Sequence, residues 1–185
     1  MATALKFRYR VDASDTLVWV SDSWLAFARE NGASGLVRSS VLERSLWDFV
    51  TGEELQTLYS EIHSRVRSTG IRAVLPFRCD SPTLQRHMRL TITHEDFGQL
   101  AYECILVRAV AQRHLDVLDT GRRRSTASLA ICSCCKRALL KPRGWQDLEE
   151  VCLRLQVFEA EEVPKLLHTV CPECSHALTV TGEGI

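Results

Sequence analysis

The sequence predicts an α+β protein: a five-stranded antiparallel sheet with helices on one face, followed by a small cysteine-rich α/β lobe. Three observations carry that reading. Segments that alternate apolar and polar residues, the period of a half-buried strand, flank a long amphipathic helix in the first part of the chain. Three such segments follow that helix in succession, separated by turn chemistry, so that neighbours can pair as hairpins. Six of the eight cysteines are crowded into the last third of the 185 residues.

The strand-forming unit spans residues 1–110. Phe7, Tyr9 and Val11 alternate with Lys6, Arg8 and Arg10. A turn at Asp12, Ala13, Ser14 and Asp15 leads into Leu17, Val18, Trp19 and Val20, completing a hairpin. Ser21 and Asp22 offer N-cap oxygens to a helix bearing Trp24, Leu25, Phe27 and Ala28, which Asn31 and Gly32 close. A short apolar turn occupies residues 45–50. Thr51 and Glu54 then have the spacing of a capping box, and Leu55, Leu58, Tyr59, Ile62 and Val66 share one helical face that ends at Gly70. Ile71, Ala73, Leu75, Phe77 and Cys79 form the next alternation, where Pro76 calls for an edge or a bulge. Met88, Leu90 and Ile92 mark another strand, and residues 100–110 form the most apolar one.

Residues 111–128 read as a linker. They hold an amphipathic stub (Leu115, Val117, Leu118) and the run Arg122, Arg123, Arg124, expected to be a solvated charge run. The lobe spans residues 129–185, with a helix expected over residues 145–158 that buries Leu148, Val151, Cys152 and Leu155.

Composition bounds the function. The chain is long enough for one ordinary domain plus a small appendage. Nine glycines and five prolines in a 45% hydrophobic chain argue against disorder. Twenty-three basic residues balance twenty-three acidic ones, which argues against a broadly basic nucleic-acid binder. Residues 1–10 lack the apolar run of a secretory leader, and no stretch approaches the ~20 apolar residues needed to span a bilayer. The expectation is a soluble cytoplasmic protein with reduced thiols.

The first unit resembles a PAS domain, on its element order and on the strings VWVSDSWLAFARENG, SLWDFV and PFRCDSP. The second is similar to a cysteine module that follows PAS regions in bacterial signalling proteins, with the pattern C-S-x-C-K-R, a Trp-led helix, then H-x-x-C-P-x-C. Here these are Cys132-Ser133-Cys134-Cys135-Lys136-Arg137, Trp145, and His168 through Cys171-Pro172-Glu173-Cys174. The resemblance implies a sensory role, dimerisation through the PAS unit, and in some members haem or flavin. Two departures stand out: Cys134 is an additional thiol, and Thr169 replaces a glycine.

Cys132 and Cys135, with Cys171 and Cys174, form two C-x-x-C pairs able to converge on one ion as a zinc-ribbon-like site. A structural Zn2+ fits best, because a lobe this small has little core of its own. An iron–sulfur centre would use the same four thiolates. His168 or Cys134 could also enter the ligand set. Cys79, Cys104 and Cys152 fall on apolar faces and read as core.

For a ligand pocket in the first unit, the candidates are Trp24, Phe27, Trp47, Phe49 and His63. Haem-binding PAS domains take an axial histidine from a helix in this region, which singles out His63, although it stands at the border of the apolar stripe. Arg78 and Asp80 read as an exposed ion pair at a turn. No phosphate loop, dinucleotide fingerprint, zinc-protease helix or nucleophile elbow is present.

These readings converge on a non-enzymatic bacterial sensory or regulatory adaptor, acting through a protein partner and open to homodimerisation, with the linker carrying the signal between its parts. The alternatives are a haem, flavin or iron–sulfur redox or gas sensor, and a nucleic-acid-binding regulator that uses the zinc lobe and the arginine run.

Overall fold

The computed structural model describes residues 5–180. The first four residues, part of the segment read for a leader, and the last five, part of the C-terminal unit, lie outside the described residues.

The N-terminal hairpin joins β1 (Lys6–Val11) to β2 (Leu17–Val20). Its turn is built by Asp12, whose carboxylate accepts the Ser14 and Thr16 N–H groups at 2.8 and 2.9 Å. Helix α1 (Asp22–Glu30) starts where the Ser21 hydroxyl accepts the Trp24 N–H, and the Asn31 side chain donates to the Phe27 carbonyl at its end. A short helix α2 (Arg38–Val41) and a 3-10 turn (Leu46–Asp48) lead to α3 (Glu53–Thr69), which Gly70 closes at φ +69°. Then come β3 (Ala73–Arg78), β4 (Leu84–His94) and β5 (Leu100–Ala111).

These strands form one antiparallel sheet in the order β2-β1-β5-β4-β3. The strand that closes the unit, β5, therefore runs through its centre and buries Leu100, Tyr102 and Cys104 on the inner face. Leu58, Ile62 and Val66 of α3 complete that core. Pro76 lies on the edge strand, as its missing N–H requires.

The capping box at Thr51 and Glu54 does not form. Gly52 is the N-cap, at φ +100°, with no side-chain hydrogen bond, and Glu54 is engaged elsewhere. The Arg78–Asp80 pair is not exposed either: the Asp80 side chain is 1% accessible and binds the guanidinium through both oxygens.

The C-terminal unit is a four-stranded sheet in the order β8-β7-β6-β9, comprising β6 (Arg124–Cys132), β7 (Ala138–Leu140), β8 (Gly144–Gln146) and β9 (Val163–Thr169). Helix α4 (Leu148–Arg154) and a 3-10 turn (Val157–Glu159) cross from β8 to β9, and α5 (Pro172–Val180) ends the described chain. Trp145 is in a strand, not a helix, because Asp147 caps α4 by accepting the Glu149 N–H at 2.9 Å. Leu155, expected inside, is 46% exposed where α4 ends.

The stretch read as a linker is instead built into this unit. Leu115 and Val117 are buried in the same cluster as Ile131, Leu148 and Val151. Arg122 donates to the Ala160 carbonyl, and Arg124 to those of Val117, Asp119 and Pro164. Arg123 alone of the run fits the solvated reading, at 81% side-chain exposure and paired with Glu162. Among the described residues, no helix is long and apolar enough to cross a membrane.

Candidate functional site

β6 and β9 are parallel neighbours, with Cys132 opposite Thr169. Parallel pairing places the C-terminal ends of both strands at the same end of the sheet, which is where the two C-x-x-C segments begin. The first segment folds back on itself: the Cys132 N–H donates to the Arg137 carbonyl at 2.8 Å, and the Lys136 N–H to the Cys132 carbonyl at 3.0 Å. Lys136 completes this tight turn at φ +62°. The second segment enters α5, placing Cys171 just before the helix and Cys174 within it.

The outcome is a four-thiol cluster. The sulfurs of Cys132, Cys135, Cys171 and Cys174 all lie within 4.8 Å of one another, and that of Cys135 is 3.8 Å from Cys171. Tetrahedral coordination at a Zn–S distance of about 2.3 Å puts neighbouring sulfurs ~3.8 Å apart, so the cluster is compatible with a single metal ion. Backbone N–H groups of Cys171 and Cys174 donate to the sulfurs of Cys132 and Cys171, each at 3.4 Å. The Arg137 guanidinium donates to the sulfurs of Cys135 and Cys171, also at 3.4 Å. All of these donors favour thiolates.

Without a cation the thiols cannot ionise together. Hydrogen bonds from Cys134 and Cys135 pull Cys132 far below the ordinary thiol pKa. Those same bonds hold Cys134 and Cys135 protonated, well above it. Burial, followed by the hydrogen bond to Cys171, pushes Cys174 up to about 12. A divalent cation at the centre reverses this repulsion by supplying the charge that the sulfurs share.

Cys134 lies outside the four-sulfur set but hydrogen-bonds to Cys132, and its carbonyl accepts the Arg78 N–H at 2.7 Å. His168 also lies outside the set, with burial and the nearby Lys136 charge lowering its pKa. Cys104 and Cys152 are buried in the two cores, whereas Cys79 is half-buried.

The cluster docks against the first unit. Glu54 of α3 accepts the Thr169 hydroxyl and, at 3.1 Å, the Val170 N–H. Gly52 packs so closely on the His168 carbonyl that an added Cβ would lie 3.1 Å from the oxygen. Arg78 reaches Asp147, the cap of α4, at 3.7 Å. The two units thus touch through direct packing around the cysteine loops, in place of a flexible connection. Sequence reasoning missed Glu54 and Gly52 because local capping explained the one, while nothing local marked the other as a contact.

His63 is fully buried, not at a border. Its Nδ1 is 2.8 Å from the Asp15 carboxylate, its Nε2 bonds the Tyr102 hydroxyl, and Arg67 joins Asp15 at 2.6 Å. Neither ring nitrogen is left to ligate haem iron. Trp47 packs 5.2 Å from His63, Phe27 stacks on Phe7 at 4.9 Å, and Trp24 is packed half-buried against the core. Of the five pocket candidates, only Phe49 lines the cavity beside the cysteine loop.

No protein-family model matches the chain, and no curated protein matches it. Among solved structures, it is similar to the crystal structure of the PAS domain of an HTR-like protein from Haloarcula marismortui. The identity is 19% and the TM-score 0.34, over 58% of this chain and 86% of that one.

Proposed function

We propose that this chain is a non-enzymatic sensory or regulatory adaptor, in which a PAS-like unit is held to a small lobe by a structural zinc centre. The observation that carries the reading is the convergence of four cysteine sulfurs within 4.8 Å. Sulfurs this close have the spacing that suits one ion. A multi-iron cluster places iron and sulfide between its cysteines and spreads them wider, which favours zinc over an iron–sulfur centre. Cys132 and Cys171 are fully buried, and with four thiolates engaged no coordination position is left for a water nucleophile. When bound, the ion supplies charge and cross-linking; the chain's own residues supply the thiolates, the donors to them, and the docking contacts.

The sensory part of the reading rests on the sheet order with β5 at the centre and helices on the inner face, which supports the PAS-like assignment. Output then passes in trans to a protein partner or a second copy. A nucleic-acid role is disfavoured because Arg122 and Arg124 are tied to backbone carbonyls.

Elemental analysis of the full chain, purified anaerobically without added metal, tests the centre. About one zinc per chain supports it, whereas stoichiometric iron with a visible absorption band overturns it.

A further inference from the structure

We infer that the seam between the two units is a binding site for a small apolar carboxylate, whose hydrocarbon part lies on the inner face of the first unit and whose charge meets Lys136 of the cysteine loop. This deepens the reading of a metal-held loop. A cavity of about 290 Å³ opens here. That lies at the small end for ligand sites and suits a molecule of roughly eight to ten non-hydrogen atoms.

The lining chooses the chemistry. Leu46, Phe49, Leu55 and Phe77 supply an apolar floor, and Ser133, Cys134 and Lys136 form the wall given by the loop. No aspartate or glutamate lines the cavity. Arg78 also faces it, but its charge is matched by Asp80 and Asp147. Arg137 is directed to the sulfurs and to Glu173. Lys136 differs: its Nζ donates to the Ser133 carbonyl at 3.0 Å and has no carboxylate partner among the described residues. An ammonium with protons to spare, at the border of an apolar cavity without acids, selects an anion.

Two further donors face the same space. Tyr9 and Tyr59 both line the cavity, and neither hydroxyl has a hydrogen-bond partner among the described residues. Burial raises the pKa of both, so they remain neutral donors. A carboxylate, acceptor-only with room for several donors, satisfies phenols and ammonium together. A neutral amide brings no charge for Lys136, and an amine brings the wrong one.

The test is calorimetric titration of the full chain, with its metal content measured, using phenylacetate and 4-methylpentanoate as probes and phenylacetamide and phenethylamine as comparators. At least one acid is expected to bind about tenfold or more tighter than the amide, with no binding of the amine. Lys136→Met should weaken the acid about tenfold, Leu55→Trp should abolish binding by filling the cavity, and Arg143→Met should change nothing. Circular dichroism and metal content establish that each variant is folded and loaded. Failure of both acids to bind the loaded chain, equal binding of acid and amide, or indifference to Lys136→Met overturns the inference while leaving the metal centre intact. A chain that holds no metal yet binds the acid through Lys136 overturns the metal reading and upholds this one.

Discussion

The backbone N–H of Arg78, on the edge strand of the first sheet, donates to the carbonyl of Cys134 at 2.7 Å. One main-chain bond thus ties the exposed side of β3 to the loop between two cysteines of the four-thiol cluster. The loop is also held by its own turn bonds, by the Ser133 N–H donating to the Thr169 carbonyl at 2.8 Å, and by the contacts among the sulfurs.

Cys171→Ser should therefore abolish metal binding and free the loop from the edge. A structural zinc contributes several kcal/mol to a small lobe, and a fall in the unfolding midpoint of roughly 10 °C is expected. Hydrogen exchange should quicken at Arg78, which is remote in sequence from the substitution. An unchanged midpoint and unchanged protection at Arg78 would show that the cluster does not hold the units together.

The Glu54 latch gives a second prediction. Hydrogen bonds from the Thr169 hydroxyl and the Val170 N–H hold the Glu54 carboxyl below its ordinary pKa. A double-mutant cycle on Glu54→Gln and Thr169→Val should return a coupling of about 0.5–1 kcal/mol, small because the pair is solvated. Its contribution is complete above the unfolded pKa, near 4.5, and is lost as the pH falls through the lower folded value. Additive effects of the two substitutions in urea unfolding would remove the latch from the account.

Gly52→Ala should destabilise the chain by about 1–2 kcal/mol, because alanine at φ +100° is strained and its Cβ meets the His168 carbonyl. Gly35→Ala is the control, since nothing lies within 4 Å of a Cβ there and φ is not positive. Equal midpoints for the two variants would contradict the close approach.

Asp15 anchors the buried network of His63 and Arg67. Burial opposes ionisation of its carboxyl, but hydrogen bonds from His63 and Arg67 outweigh that, and its pKa is lowered. The sign follows: the stabilisation is complete above the unfolded pKa of 3.8 and disappears as the pH drops through the folded value. Asp15→Asn, which keeps the shape and tolerates φ +62°, should cost about 2 kcal/mol at pH 7 and less at pH 3, below the unfolded pKa. Urea unfolding at the two pH values checks this, and a cost independent of pH would assign the loss to packing instead.

Periodicity located the strands of the first unit because one face of each is buried: Phe7 and Val11, Ala73 and Leu75, and Leu90 and Ile92 all point inward. It failed where the decisive contact was distant. Glu54 has the spacing of a local cap, and no property of residues 51–54 announces a partner 115 residues away. Trp145 resembled a helix start until Asp147, two positions on, took the cap. His63 looked peripheral because its acceptor, Asp15, and its hydroxyl partner, Tyr102, come from a turn and a strand far along the chain.

The sequence by itself determined the local frame: alternating strands, the long helix ended by Gly70, and two C-x-x-C segments whose two-residue spacers suit one ion. Those features follow from side-chain period, backbone φ preferences and ligand spacing, all of which are local. Tertiary structure alone decided that β6 and β9 run parallel and so deliver both cysteine pairs to the same end. It also decided that Lys136 faces an apolar cavity free of acids, and that the supposed linker is core. Such relations depend on which surfaces bury each other, a property of the whole chain that no short window of residues contains.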